Sequence, residues 1–98
     1  MRTKIVAGNW KMNNTIEETT TLIKQLQDSL KDASLENTRV LVAPTFVNLF
    51  TGVENAKDSK IEVVAQNMHQ AKNGAFTGEI SADMLKSIGV VSVILGHS

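Results

Sequence analysis

The 98-residue chain carries 10 basic and 10 acidic side chains, no cysteine and 42% hydrophobic residues. A chain of this length excludes more than one domain, since domains run to about 100–150 residues, and its zero net charge excludes a general field for nucleic acid or an anionic membrane surface. The missing cysteines exclude a disulfide framework, a thiolate nucleophile and a thiolate-held metal or cluster, and they suit a reducing cytosol.

The first β-type run is Lys4 to Trp10. Its apolar stretch Ile5-Val6-Ala7 is broken by Gly8-Asn9. That is well short of the roughly 7–15 apolar residues of a secretory signal or the roughly 20 of a membrane span. No targeting or membrane segment is expected, so the sequon Asn13-Asn14-Thr15 is read as chance. Thr15 followed by Glu18 has capping-box spacing and predicts a helix start. Leu22, Ile23, Leu26 and Leu30 then fall on one helical face, with Lys24, Gln25, Gln27, Asp28 and Lys31 opposite. A second run, Arg39 to Ala43, is stopped by Pro44, which has no N–H for a ladder. A shorter helix is expected over Val47 to Ala56, weakened by Gly52. The third run is Ile61 to Ala65, and Met68 to Glu79 reads as a long loop without period. A third helix is expected to start near Ser81, bury Met84, Leu85 and Ile88, and end at Gly89. The fourth run is Val90 to Leu95.

Several of these runs are rich in β-branched residues and nearly continuous in apolar character, the pattern of strands buried on both faces. The order β-α-β-α-β-α-β predicts an α/β protein with a parallel sheet, because parallel strands need crossover connections. Doubly wound sheets and (β/α) barrels both fit that order.

Ligands in such folds gather at the carboxyl ends of the strands. Alternation places Ile5, Ala7, Asn9 and Lys11 on one face, so an apolar face ends in an amide and an ammonium suited to an anionic or carbonyl oxygen. A single lysine past a strand is ordinarily a solvated charge; Asn9 on the same face favours a site. The third run ends in Gln66-Asn67. The fourth places Val91, Val93, Leu95 and His97 on one face, with Gly96 permitting close approach. Histidine can donate a proton near neutrality and lysine can stabilise an oxyanion. His69 lacks such company and reads as structural, and Trp10 as packing against helices. No Gly-x-Gly-x-x-Gly, Walker-type loop or Gly-x-Ser-x-Gly elbow occurs, and two histidines 28 positions apart give no metal-site spacing.

Ala7-Gly8-Asn9-Trp10-Lys11-Met12-Asn13 resembles the opening signature of the triosephosphate isomerase family. The resemblance continues through Ala65-Gln66-Asn67 and the stretch from Gly74 to Ser81, and it closes with Ile94-Leu95-Gly96-His97-Ser98. It implies an eight-stranded (β/α) TIM barrel interconverting dihydroxyacetone phosphate and glyceraldehyde 3-phosphate, a cytoplasmic step of glycolysis and gluconeogenesis. That family is itself the standard example of a glutamate base paired with a neutral histidine under a closing loop. By resemblance, Asn9 and Lys11 would bind substrate oxygens, Lys11 would also offset the phosphate and enediolate charge, and His97 would polarise the carbonyl. Lys11 and His97 are thus the catalytic candidates, with no cofactor and no metal. The resemblance also implies a homodimer formed through the Met68 to Glu79 loop, with Phe76, Thr77 and Gly78 as its dimer residues and Thr77 at its tip, near Asn9 of the partner subunit.

Barrels of this kind run to about 250 residues, so residues 1–98 are expected to be a single partial domain, the N-terminal half of the barrel. The glutamate base, the lid and the later phosphate-binding N–H groups would lie in the other half, which is the complementary partner needed for activity. Glu79 falls in the loop motif and not at the base, so the isolated chain is expected to be inactive. The alternative is a non-catalytic, self-assembling half-barrel scaffold with open edges. A different phosphosugar enzyme sharing only the barrel fold is the third possibility.

Overall fold

The computed structural model describes residues 2–96; His97 and Ser98, at the end of the fourth run, lie outside the described residues. Strands β1 (Lys4–Asn9), β2 (Thr38–Ala43) and β3 (Ile61–Val63) form one parallel sheet in the order β1-β2-β3. Helices α1 (Ile16–Leu30), α2 (Leu49–Ala56) and α3 (Ala82–Ser87) complete the α/β alternation. A 3-10 turn over Phe46–Asn48 leads into α2, so the second predicted helix is a turn followed by a helix.

α1 begins as its sequence dictates. The Glu18 N–H donates to Thr15 Oγ1 at 3.3 Å, and the Thr15 N–H donates to Glu18 Oε1 at 2.8 Å. Its last turn holds no basic residue. The cation comes from just before β3: Lys60 Nζ donates to the carbonyls of Leu30, Lys31 and Ala33 at 3.3, 3.5 and 2.9 Å. An ammonium there meets both the orphaned carbonyls and the negative end of the helix dipole. α3 starts at Ser81, whose Oγ accepts the Met84 N–H at 3.2 Å, and ends at Gly89 with φ +88°.

In-register residues of parallel strands share a face. The register Val40↔Ile61 and Val42↔Val63 therefore sets these four on the helix-covered side, and Leu41↔Glu62 on the other. Ile23 of α1, Leu49 and Ala56 of α2 and Leu85 of α3 share a core with Val42, Ile61, Val63 and Val90. Gly52 lies at the closest approach of α2: a Cβ there would stand 3.4 Å from Val63 and 3.6 Å from Ile23. Those are ordinary contact distances, so Gly52→Ala should fit and gain about 0.5–1 kcal/mol of helix stability. Gly52→Leu should overpack and lose about 1–3 kcal/mol. Thermal unfolding of both variants reads the prediction, and an alanine variant less stable than the parent would refute it.

Three expectations need correction. β1 is exposed from Lys4 through Gly8, with Ile5 at 56% and Val6 at 60%. It is the edge strand, and the core takes residues from β2 and β3 but none from β1. Apolar composition permitted burial; position in the sheet withheld it. Among the described residues, the run Val90 to Leu95 joins the sheet through a single parallel bridge, Val93 to Ala65. The Ala65 N–H donates to Ser92 O and the Ile94 N–H to Ala65 O, at 3.0 and 2.8 Å, while the Val90 N–H donates to Leu85 O at 3.0 Å. Val90 is buried, while Val91 and Leu95 point to open surface. Finally, Met84 is exposed and only Leu85 of α3 is fully buried, because one residue per turn of a six-residue helix reaches the core.

On the uncovered face, Arg39 Nε and Nη2 donate to the two carboxylate oxygens of Glu62 at 2.8 and 2.7 Å. The hydrogen bond from Arg39 holds the Glu62 carboxyl below the usual carboxylate range, while partial burial opposes it and the Arg39 charge adds to it. A group whose pKa is lowered on folding stabilises the fold above its unfolded pKa and loses that contribution as pH falls through the folded value. Both side chains are nearly half exposed, so the effect is small. Glu62→Gln should therefore be slightly less stable than the parent at neutral pH, and the two should converge in acid. A gap that persists unchanged in acid would contradict this origin.

Candidate functional site

The carboxyl end of β1 is built from local turn chemistry and tied down from two later strand ends. The Trp10 N–H donates to Ala43 O at 3.1 Å, extending the β1–β2 ladder one step past Asn9. Trp10 is half-buried and packs against the core, as its place on the helix-facing side predicts. Lys11 then leaves the extended conformation, with φ +55°. A non-glycine residue in the left-handed region costs on the order of 1–3 kcal/mol and persists only where its surroundings enforce it. Both of its peptide groups are held. The Lys11 N–H donates to Asn9 Oδ1 at 2.9 Å, and Gln66 Nε2 donates to Lys11 O at 2.9 Å.

Gln66 Nε2 also donates to Ala43 O at 2.7 Å, so one amide just past β3 joins the ends of β1 and β2. Farther along the turn, Asn13 Nδ2 donates to Trp10 O at 2.7 Å. The fully buried Asn48 donates through Nδ2 to Asn14 O at 2.8 Å and Thr45 Oγ1 at 2.9 Å. Asn9 is half-buried and Lys11 exposed, and the structure brings the two together in one turn. Gln66 and Asn48 are the residues to which the sequence assigned no role. The sequence placed Gln66 at a strand end but gave no sign of the carbonyls its amide reaches.

The 68–79 loop is closed at its base. The His69 N–H donates to Ile80 O at 2.7 Å, and Asn67 Nδ2 donates to Glu79 Oε2 at 3.1 Å. The His69 ring stacks on Phe76 with centroids 4.1 Å apart, and its Nδ1 accepts the Ala71 N–H at 3.1 Å, which gives His69 a structural role. Gly74, at φ +141°, is required here: a Cβ would come within 2.7 Å of the Phe76 ring. Thr77 and Gly78 are exposed, Gly78 with φ +88°. Thr77 makes no described hydrogen bond to the Asn9–Lys11 turn of its own chain.

A cleft of about 140 Å³ opens beside Gln66, lined by Thr45, Leu49, Asn67 and Gly78 among others. A larger cavity of about 390 Å³ lies at the opposite end of the strands, among Gln27, Lys31, Asp58 and Lys60. Size favours the second. Chemistry favours the strand-end turn, because Lys60 and Gln27 are engaged in capping helix ends and the strand carboxyl termini carry the strained lysine. Among the described residues no group of three or more His, Cys, Asp or Glu is arranged to hold a metal ion, and no helix is long and apolar enough to cross a membrane.

The chain is 62% identical over its 98 residues to a triosephosphate isomerase of Flavobacterium psychrophilum, 57% to one of Clostridium acetobutylicum and 52% to one of Clostridium botulinum. Each alignment covers all of this chain and 38% of the relative, so the chain spans well under half the length of the curated relatives it matches. The family model described as triosephosphate isomerase matches residues 4–98, from the first residue of β1 through His97 and Ser98. The parallel α/β architecture, the strand-end Asn–Lys turn and this match agree: the chain belongs to the triosephosphate isomerase family.

Proposed function

We propose that this chain is the N-terminal portion of an enzyme that interconverts dihydroxyacetone phosphate and D-glyceraldehyde 3-phosphate through an enediolate. The observation that carries the proposal is the clamped Asn9–Lys11 turn at the carboxyl end of the parallel sheet. Asn9 gives its Oδ1 to the Lys11 N–H, so its Nδ2 donor is what it offers a substrate oxygen. The Lys11 ammonium offsets the phosphate dianion and the charge that develops on the enediolate. His97, as a neutral imidazole, polarises the carbonyl and carries protons between the two oxygens. Moving a proton between neighbouring carbons calls for a base and an electrophile, with no redox group and no metal. The glutamate base and the lid belong to sequence outside this chain, so residues 1–98 alone are inactive.

The same reading makes the enzyme a cytoplasmic homodimer of glycolysis and gluconeogenesis. The 68–79 loop reaches a twin subunit, with Thr77 between Phe76 and Gly78 meeting Asn9 of the partner subunit. Phe76 beside Thr77 in the loop and Met12 beside Lys11 are large apolar side chains left exposed, which supports such an interface. One observation favours a second reading, the self-assembling scaffold: the outer edge of β1 has no partner strand among the described residues. A coupled assay on the full-length protein with dihydroxyacetone phosphate separates the two. Turnover supports the isomerase, and a folded, oligomeric protein without turnover supports the scaffold.

A further inference from the structure

We infer that Gln66 is a positioning residue for Lys11, acting through the lysine backbone and not through the substrate; the inference rests on the isomerase reading above. Lys11 is the only residue of the strand-end turn with both a chemical role in that reading and a left-handed backbone. Had Lys11 continued the β1 geometry, its side chain would have followed the strand alternation. Instead φ +55° redirects it, and the direction of its ammonium depends on what holds that angle.

Two contacts hold it, and they differ in kind. Asn9 Oδ1 accepts the Lys11 N–H from two residues away, a bond internal to the turn that moves with it. Gln66 Nε2 reaches Lys11 O from 55 residues away, and its second N–H goes to Ala43 O. Ala43 is fully buried and its carbonyl also accepts the Trp10 N–H, so it belongs to the rigid part of the sheet. Gln66 therefore references the Lys11 peptide to the sheet, whereas Asn9 shapes the turn only locally. A primary amide suits this place because it carries two N–H donors that can serve two carbonyls at once. A side chain with no donor leaves both carbonyls without it and frees the turn to rotate. A displacement of the order of 1 Å at a charge-stabilising group can cost up to about 10²-fold in rate.

The test is a double-mutant cycle in the full-length protein, using Gln66→Met, Lys11→Met and the double variant. It is read by kcat/KM for dihydroxyacetone phosphate and, independently of turnover, by calorimetric affinity for inorganic phosphate. Gln66→Met should lower kcat/KM about tenfold or more and weaken phosphate binding. In the Lys11→Met background the same change should alter either quantity by less than twofold, because the group it positions is gone. Equal effects of Gln66→Met with and without the Lys11 ammonium would overturn the inference and leave Gln66 a purely structural residue. So would a Gln66→Met enzyme with unchanged kcat/KM and phosphate affinity. If Gln66→Met does not fold, Gln66→Asn, which keeps the amide but is one methylene short of its acceptors, is carried through the same cycle. A full-length protein that binds phosphate but has no isomerase activity would defeat the functional reading, while the phosphate cycle would still decide the role of Gln66.

Discussion

Replacing Lys11 with methionine in the full-length protein is expected to reduce kcat by about 10²–10³-fold, the loss typical of removing one group that stabilises a developing oxyanion. Methionine has similar length and no charge, so the turn should survive: its hydrogen bonds to Asn9 Oδ1 and from Gln66 Nε2 involve only the Lys11 backbone. The variant should therefore melt close to the parent while losing activity. Lys11→Ala would remove the stem as well and confound charge with packing. Lys11→Arg is also not conservative here, since a planar guanidinium does not present its charge at the same point as an ammonium. Near-normal turnover in a folded Lys11→Met protein would remove the lysine from the mechanism.

Ile23→Ala is expected to be the most destabilising of the single changes considered, by about 2–5 kcal/mol. Ile23 is fully buried, and its terminal methyl lies where α1, α2 and β3 meet, beside Gly52 and Val63. Truncation leaves a cavity whose walls are two helices and a strand, and such walls collapse poorly. Denaturant unfolding of the full-length protein reads the change. Because Ile23 is on the helix side of the sheet and the Lys11 turn is at the strand end, kcat at a temperature where the variant is folded should be nearly unchanged. A loss of less than about 1 kcal/mol would mean that the site relaxes more than close packing allows.

What could be read in the sequence was local. Thr15 and Glu18 are three residues apart and cap α1 as that spacing predicts; Pro44 falls right after β2, and Ser81 and Gly89 bracket α3. The placement of Asn9 and Lys11 at a strand end was legible, although strand alternation missed the left-handed backbone that joins the two. What could not be read depends on neighbours remote in the chain. Lys60 caps a helix that ended some 30 residues earlier, and Gln66 clamps Lys11 across 55 residues. An apolar run says that a strand can be buried, but only the elements beside it decide whether it is. β1, at the sheet edge, stays exposed, and among the described residues Val90 to Leu95 pairs with the sheet at one point. Met84 and Leu85 are both hydrophobic, and the short α3 buries one of them.

The most direct test of the central claim compares isomerase turnover by the full-length protein with turnover by residues 1–98 alone, each with dihydroxyacetone phosphate as substrate. The described strand-end turn holds an amide and an ammonium, and the proposed mechanism draws its base from sequence outside this chain, so the full-length protein should turn over substrate and the 98-residue chain should give no rate above buffer. Turnover by the 98-residue chain at a rate comparable with the full-length protein would contradict the account.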